Sequence, residues 1–227
     1  MSVENTKKLA LGMLLLLPSS QIYADSVDGF GAGLNFELLG GIGIDLTYAY
    51  SDTLQVRAVL SQGLDESETE EGDGNELDYA VEVDGGINRI ALDYHPFGNG
   101  FYVSGGYAFS DFAVSGNASG QNKQVGDQTF AEQVSVNSGL TWDDGFTVTA
   151  GWGHSPDRGF GFNVEFGAIF TGDPGVSTSG EIIGADAATE QAFNDALDEE
   201  SENFKDDVAS IDSDILPIFQ IGLNYRF

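Results

Sequence analysis

The sequence predicts an all-β protein, an antiparallel up-and-down β-barrel that spans a membrane. Apolar and polar residues alternate with a period of two through most of the chain, as in strands whose two faces meet different surroundings. The polar faces are rich in Gly, Ser and Thr, which suit a narrow lumen. Aromatic residues cluster beside the predicted tight turns, as in the girdles that flank the apolar band of membrane barrels. These aromatic residues are Tyr48, Tyr50, Tyr94, Phe97, Phe101, Trp142 and Phe146. A soluble β-sandwich, which would bury the apolar faces, is the alternative.

The first 24 residues have the pattern of a secretory signal peptide. Lys7 and Lys8 precede a nine-residue apolar core, and Ala24 is the small residue before the expected cleavage site. The core is too short to span a bilayer as a helix, which takes roughly 20 residues. We expect cleavage after Ala24, export through the periplasm, and a mature chain, residues 25–227, that folds as a single barrel domain.

Composition excludes several classes of protein. The chain has 37 Asp and Glu against 8 Lys and Arg, a formal net charge of -29, so it lacks the basic face of a nucleic-acid binder. It contains no Cys, which excludes a disulfide framework, a thiolate metal site and a lipid-anchored Cys. We expect no cofactor.

Each predicted strand keeps its apolar residues on one face. The clearest stretches are FGAGLNFEL (30–38), IGIDLTYAY (42–50), LQVRAVL (54–60), FYVSGGYAF (101–109), FAEQVSVNSGLTW (130–142), FTVTAGW (146–152) and FGFNVEFGAIF (160–170). A longer stretch, residues 77–94, changes face near Gly85 and Gly86, which predicts a β-bulge there.

Loop lengths predict the topology, since bacterial barrels have short periplasmic turns and longer outer loops. The short turns are 51–53, 95–100, 143–145 and 172–175. The longer connections are 63–76, about 118–129 and about 184–214. With the final strand ending in the periplasm, the turns alternate only for ten strands, which requires a hairpin near 39–41 and a short strand at 176–182. The runner-up count is eight strands, with 30–50 as one long strand.

The chain ends on QIGLNYRF (220–227), a strand pattern that finishes on an aromatic residue. This ending resembles the C-terminal recognition signal of gram-negative outer-membrane β-barrels, in the positions Gln220, Gly222, Tyr225 and Phe227. In architecture, the mature chain is similar to small OmpX- and OmpW-like barrels. The resemblance implies location in the outer membrane, contact with its lipid and lipopolysaccharide, and recognition by the barrel-assembly machinery. We expect a monomer.

Charged residues within the predicted strands lie at the alternate positions that face the lumen, because charge on the lipid face is costly. These residues are Glu37, Asp45, Arg57, Arg89, Asp93, Glu165 and Arg226. In a narrow lumen they should pair, since an isolated ion there is poorly solvated. The resulting network would act either as a structural plug or as a charge-selective path for small solutes.

Two connections are strongly acidic. Residues 65–78 contain eight Asp and Glu, and residues 186–214 contain eleven with one Lys. Such runs are usually solvated loops, although carboxylates can also hold divalent cations weakly. The spacing lacks the ligand ladder of a calcium-binding loop, so we predict no specific metal site.

The second acidic connection also has a helical apolar stripe, with the other face rich in Asp and Glu. The stripe consists of Phe193, Leu197, Phe204, Val208 and Ile211. It would pack over the barrel rim, gate the lumen or dock a partner helix.

Catalysis has few candidate residues. His95 and His154 are the only imidazoles, and although His154, Ser155 and Asp157 lie close in sequence, such neighbours point apart in a strand or tight turn. We therefore predict no catalytic residue. The sequence favours a non-enzymatic outer-membrane protein whose acidic loops bind or shield, with a narrow porin-like channel as the alternative and a lipid-modifying enzyme as the third option.

Overall fold

The computed structural model describes residues 29–70, 78–154, 158–209 and 214–227. The predicted signal peptide, the middle of the first acidic connection, Ser155, Asp157 and Ile211 lie outside the described residues. Within those ranges, no helix is long and apolar enough to cross a membrane.

The described residues form thirteen strands and one helix. In chain order these are β1 Phe30–Glu37, β2 Gly41–Ser51, β3 Leu54–Ser61, β4 Leu64–Glu70, β5 Asp78–Gly85, β6 Ile87–Tyr94, β7 Phe101–Ser110, β8 Ala113–Val125, β9 Gln128–Thr141, β10 Gly145–Trp152, β11 Gly159–Phe170, β12 Gly175–Ile183, α1 Ala187–Ala209 and β13 Ile215–Arg226.

Eight of the strands close into an antiparallel barrel in the order β1-β2-β3-β6-β7-β10-β11-β13. The first and last strands pair from Gly31 with Arg226 to Glu37 with Gln220, which closes the ring. Closure matters because it gives every barrel strand two hydrogen-bonded neighbours and leaves the barrel without a free edge.

The other five strands form a second sheet, here called the upper sheet, in the order β12-β9-β8-β5-β4. Each of its strands continues a barrel strand past the same rim; Gly86 alone, for example, separates β5 from β6. The upper sheet therefore stands as a wall above β11, β10, β7, β6 and β3. Among the described residues, no strand stands above β13, β1 and β2, so the wall encloses a cup that is open on that side.

The ten-strand prediction is wrong, and the barrel has eight strands. The predicted hairpin near 39–41 exists, since β1 and β2 are separate, and the strand predicted at 176–182 is β12. However, β9 and β12 pair with each other in the upper sheet. The eight-strand alternative had the right count, although it treated 30–50 as one strand.

Two predicted turns lie at the opposite end from the one expected. Residues 143–145 and 172–175 connect the barrel to the upper sheet at the rim, whereas 51–53 and 95–100 join barrel strands at the other end, where β1 begins and β13 ends. The predicted bulge at Gly85 and Gly86 is the passage from one sheet to the other. Gly85 has a φ of +87°, which residues with a Cβ rarely adopt, and a Cβ there would collide with the carbonyl oxygen of Asp111.

The barrel is apolar outside and polar inside, the reverse of a soluble protein. Large apolar side chains stand fully out from its surface; Phe160 is 91% exposed and Leu223 is 65% exposed. Aromatic rings contact one another in a belt at the end of the barrel where β1 begins and β13 ends, with Phe30 and Tyr48 at 4.8 Å and Tyr225 and Phe227 at 5.1 Å between ring centroids. Membrane barrels have this distribution because their outer surface meets lipid.

An apolar layer separates the barrel interior from the cup. Inward residues from four barrel strands and Phe112 form it, and side chains from the base of the upper sheet pack on top. Trp142, predicted in the lipid-facing girdle, instead packs here, 5.4 Å from Phe112 between ring centroids. Trp142 lies between β9 and β10, before the chain enters the barrel, and its side chain packs against this interior layer. The buried members are Ile87, Ala108, Phe112, Ile169, Leu216 and Ile218.

Candidate functional site

The barrel interior is built around Arg57 on β3. Its Nε and Nη2 atoms donate to the two carboxylate oxygens of Asp93 on β6, at 2.9 and 3.0 Å. Its Nη1 atom donates to Glu165 on β11, across the lumen. The guanidinium also lies over the ring of Tyr102, 5.3 Å from the centroid. This bidentate arrangement is the strong, directional form of an Arg–carboxylate pair.

Arg89 on β6 joins the same carboxylate to a second group of partners. Its Nη1 atom donates to Oε1 of Glu165 at 2.8 Å, and its Nη2 atom donates to Glu37 at 2.7 Å. The Nη2 atom also donates to Oε1 of Gln220 at 2.6 Å. Glu165 thus bridges both arginines and accepts the hydroxyl of Tyr102 at 3.0 Å. Glu165, which is fully buried, therefore accepts hydrogen bonds from three different side chains.

Asp45 and Arg226 lie at the ends of the network. The amide of Gln220 donates to Asp45 at 3.1 Å, and Nε2 of His154 lies 3.7 Å from the same carboxylate. Arg226 donates to the side-chain oxygen of Gln55, whose amide in turn donates to Asp93 at 3.0 Å. The hydrogen bonds therefore run without a break from Arg226 near the chain end to Asp45.

All seven charged residues predicted for the lumen point inward, and each is at most 3% exposed. Sequence reasoning missed Gln55 and Tyr102, and it placed Gln220 only in the assembly signal. All three lie at the alternate strand positions that point into the barrel, and this periodicity is the signal that could have identified them. The interior contains four carboxylates and three guanidinium groups. These charged groups form ion pairs with one another and have little contact with solvent.

The two histidines lie at the end of the barrel interior that is opposite the upper sheet. Nδ1 of His95 lies 2.8 Å from the carbonyl oxygen of Asn99, and its ring lies 5.6 Å from that of Tyr102. The ring of His154 meets the edge of Tyr102 at 5.9 Å. Ser155 and Asp157, the other members of the apparent triad, lie outside the described residues. Both described imidazoles are buried against the ring of Tyr102.

The residues of the predicted assembly signal have distinct positions in β13. Gln220 points inward to Arg89 and Asp45, and Tyr225 lies in the outer aromatic belt. A Cβ at Gly222 would lie 2.6 Å from the carbonyl oxygen of Leu34, so only Gly allows β1 this close. The backbone N–H of Phe227 donates to the carbonyl of Phe30 at 2.9 Å, which extends the closing pair by one residue.

The upper sheet has one polar and one apolar face. The register pairs Ser115 with Gly139 and Asn117 with Asn137 on the outer face, which continues the outside of the barrel. Val114 with Leu140 and Ala118 with Val136 lie on the inner face, which lines the cup. The outside of the protein thus changes from apolar to polar at the rim, where the barrel passes into the upper sheet.

The helix α1 covers part of the inner face. Asp186 caps its N-terminus, accepting from the backbone N–H groups of Ala188 and Thr189 at 3.1 and 2.8 Å, and these hydrogen bonds hold the pKa of Asp186 below its usual range. Phe193 packs edge-on against Phe130, at 5.5 Å between ring centroids. Of the predicted stripe, Phe193 and Val208 are buried, and Leu197 and Phe204 are half-buried.

The inner face of β5 and β8 remains open beside the helix. A cleft of about 430 Å³ is lined there by Tyr79, Val81, Gly116, Ala118, Val136 and Glu200, among others. A second cleft of similar volume shares Val81 and extends over Glu66, Glu68 and Val83. Among the described residues, no group of three or more His, Asp or Glu is arranged to hold a metal ion.

The fold has counterparts among solved structures. The chain is similar to Acinetobacter baumannii CarO2, with a TM-score of 0.56 and 21% identity over 87% of this chain and 98% of that one. It is similar to Acinetobacter baumannii CarO, with a TM-score of 0.53 and 20% identity over 87% of this chain and 97% of that one. No protein-family model and no curated protein matches the chain. At this level of identity, the likeness establishes the shared fold.

Proposed function

We propose that this chain is an integral outer-membrane β-barrel protein, with a closed barrel that anchors an acidic cup at the cell surface for binding or shielding. One observation is central to this proposal. The barrel exposes its apolar side chains outward and buries ion pairs inward, an arrangement that is stable only when lipid surrounds the barrel.

The orientation follows from the two ends of the barrel. Outer-membrane barrels have short turns and chain ends on the periplasmic side. Here the short turns at 52–53 and 95–100 share one end with β1's start and β13's end, so the upper sheet and α1 project outside the cell. The outer-membrane lipid and lipopolysaccharide would surround the barrel, and the assembly machinery would recognise β13.

The network of buried charges favours a plug over a channel. A conducting lumen needs ions that reach water, whereas Arg57, Asp93 and Glu165 are fully buried and hold one another in direct contact. The apolar layer at the rim adds a second barrier above them. The narrow-channel alternative would require both layers to move.

The cup is the part that would bind at the surface. Its rim and walls carry acidic side chains, including Glu66, Glu68 and Glu200 beside the clefts. Such carboxylates would hold divalent cations weakly. No observation on the described chain favours a catalytic role, and we propose a non-enzymatic, monomeric protein.

Epitope accessibility tests the proposal. An epitope inserted at Gly74, in the connection between β4 and β5, should bind antibody on intact cells. The matched control is the same epitope at Gly98, in the turn between β6 and β7, which should bind only after the outer membrane is permeabilised. The opposite pattern, or no barrel in the outer-membrane fraction, would contradict the orientation or the location. In planar bilayers we expect no steady conductance steps, whereas such steps would support the channel.

A further inference from the structure

The upper sheet ends at β4, which has one strand neighbour in the described chain. β4 hydrogen-bonds to β5 along one side, from Leu64 opposite Gly85 to Glu70 opposite Tyr79. In the described chain, no strand pairs with its other side. The outward N–H and C=O groups of such an edge have no partner in the sheet, so an edge is a template for one more strand.

The side chains beside this edge combine negative charge with exposed apolar surface. On the inner face, Glu66 lies opposite Val83 and Glu68 lies opposite Val81. Both glutamates are exposed. Tyr79 and Val81, in the next strand, are 44% and 40% exposed; Tyr79 lines the first cleft described above, and Val81 lines both. Unlike the exposed apolar residues of the barrel, they lie above the rim, where lipid does not cover them.

Charge decides which strand fits this edge. A second copy of β4 would place carboxylates opposite carboxylates, and like charges directly across a strand pair are destabilising. A strand with Lys or Arg at every second position would instead place cations beside Glu66 and Glu68. An apolar residue further along the same face of that strand could then reach over β4 to the cleft at Tyr79 and Val81.

We propose that the edge of β4 and the adjoining clefts bind an extended peptide segment in which cationic and apolar side chains combine, and that this segment joins the upper sheet as a further strand. Backbone hydrogen bonds would provide affinity, and the carboxylates and the cleft would provide selectivity. The inference deepens the proposed function and rests on it in one respect: the cup must face outside for the peptide to reach it.

The inference is tested by calorimetry with a synthetic peptide as long as β4 that binds to the folded barrel in zwitterionic micelles. The peptide has Ser at every second position, and the positions between, which share one face of a strand, are two Lys followed by two Val. Replacing Glu66 and Glu68 together by Lys should weaken binding by about tenfold or more, because two attractions become repulsions at the contact. The control replaces Glu82 and Asp84 by Lys. It makes the same change in net charge on the outer face of the same strand pair and should alter binding by about twofold or less.

A second probe tests the strand addition itself. The same peptide, N-methylated at alternate residues so that one backbone edge cannot donate, should bind about tenfold more weakly or worse. If both charge variants weaken binding equally, the general acidic field is responsible and the site is wrong. If the N-methylated peptide binds as well as its parent, or the parent does not bind, strand addition is wrong.

Heat-modifiable mobility confirms that each variant remains a closed barrel, and Glu66→Gln with Glu68→Gln replaces the Lys pair if that pair prevents folding. A failure here would leave the outer-membrane proposal intact, since that proposal is tested by epitope exposure on cells. Conversely, a barrel found elsewhere in the cell would leave the binding measured in micelles unchanged.

Discussion

Replacing Arg57 with Met tests whether the interior network stabilises the barrel. The side chain is fully buried, and it makes two hydrogen bonds to Asp93 and one to Glu165. Met fills similar space without charge, so the substitution leaves both carboxylates short of a partner. Breaking a buried ion pair by removing one partner typically costs about 3–5 kcal/mol. Asp93 keeps Gln55, and Glu165 keeps Arg89, so we expect about 3 kcal/mol.

Urea unfolding of the barrel in lipid vesicles, followed by heat-modifiable mobility and tryptophan fluorescence, measures this loss. The matched variant Arg57→Met with Asp93→Leu removes the bidentate pair together and should lose less than the sum of the two single substitutions. An Arg57→Met barrel that unfolds at the parent's urea concentration would refute the reasoning. It would mean that water reaches the carboxylates, and the channel alternative would then gain support.

Three further predictions concern the chain end and the helix. Deleting Phe227 should lower outer-membrane levels more than Leu223→Ile does; equal levels of heat-modifiable barrel would remove the assembly-signal hypothesis. Phe204→Asp should release α1, so that protease cuts it on intact cells while the barrel remains intact. The control Asn203→Asp adds the same charge at an exposed position, and its helix should resist protease as well as the parent's does. Asp186→Ala should increase cutting near the start of α1. Because the folded-state pKa of Asp186 is lowered, its stabilisation is present above the unfolded pKa and should be lost as pH falls through the folded value.

The period-two pattern was sufficient to predict the barrel class and the direction of the buried charges. In a membrane barrel, apolar and polar side chains alternate along each strand, because one face meets lipid and the other meets the interior. Charged side chains are costly on the lipid face and therefore point to the interior. Parity therefore placed Arg57 and Glu165 inward without any knowledge of their partners. The contacts between them, separated by more than a hundred residues in the chain, depend on barrel closure and could not be derived from spacing.

The strand count failed because alternation is the same in both sheets. The stretch 130–142 alternates as a barrel strand would, yet residues 130–141 belong to β9 of the upper sheet, and the barrel strand β10 begins only at Gly145. At the rim the apolar face changes from the outer face of the barrel to the inner face of the upper sheet. Gly, Ser and Thr occur on both faces, and so they make this change hard to recognise in the sequence. Trp142 is an example of this ambiguity. Because it lies beside a predicted turn, it was assigned to the lipid-facing aromatic girdle, whereas its side chain packs against the interior layer.

The arrangement of the interior network constrains the order in which the barrel can assemble. Arg89 on β6 depends on Glu37 from the first strand and on Gln220 from the last, so the guanidinium has its full set of partners only after the ring has closed. In the proposed membrane location, a sheet that entered the bilayer while still open would carry unpaired ions into hydrocarbon. Assembly should therefore end in one late, cooperative event in which the arrival of β13 dehydrates the interior and completes its ion pairs together. If the assembly machinery recognises β13, as proposed, the strand that targets the chain would also be the strand whose arrival completes the fold.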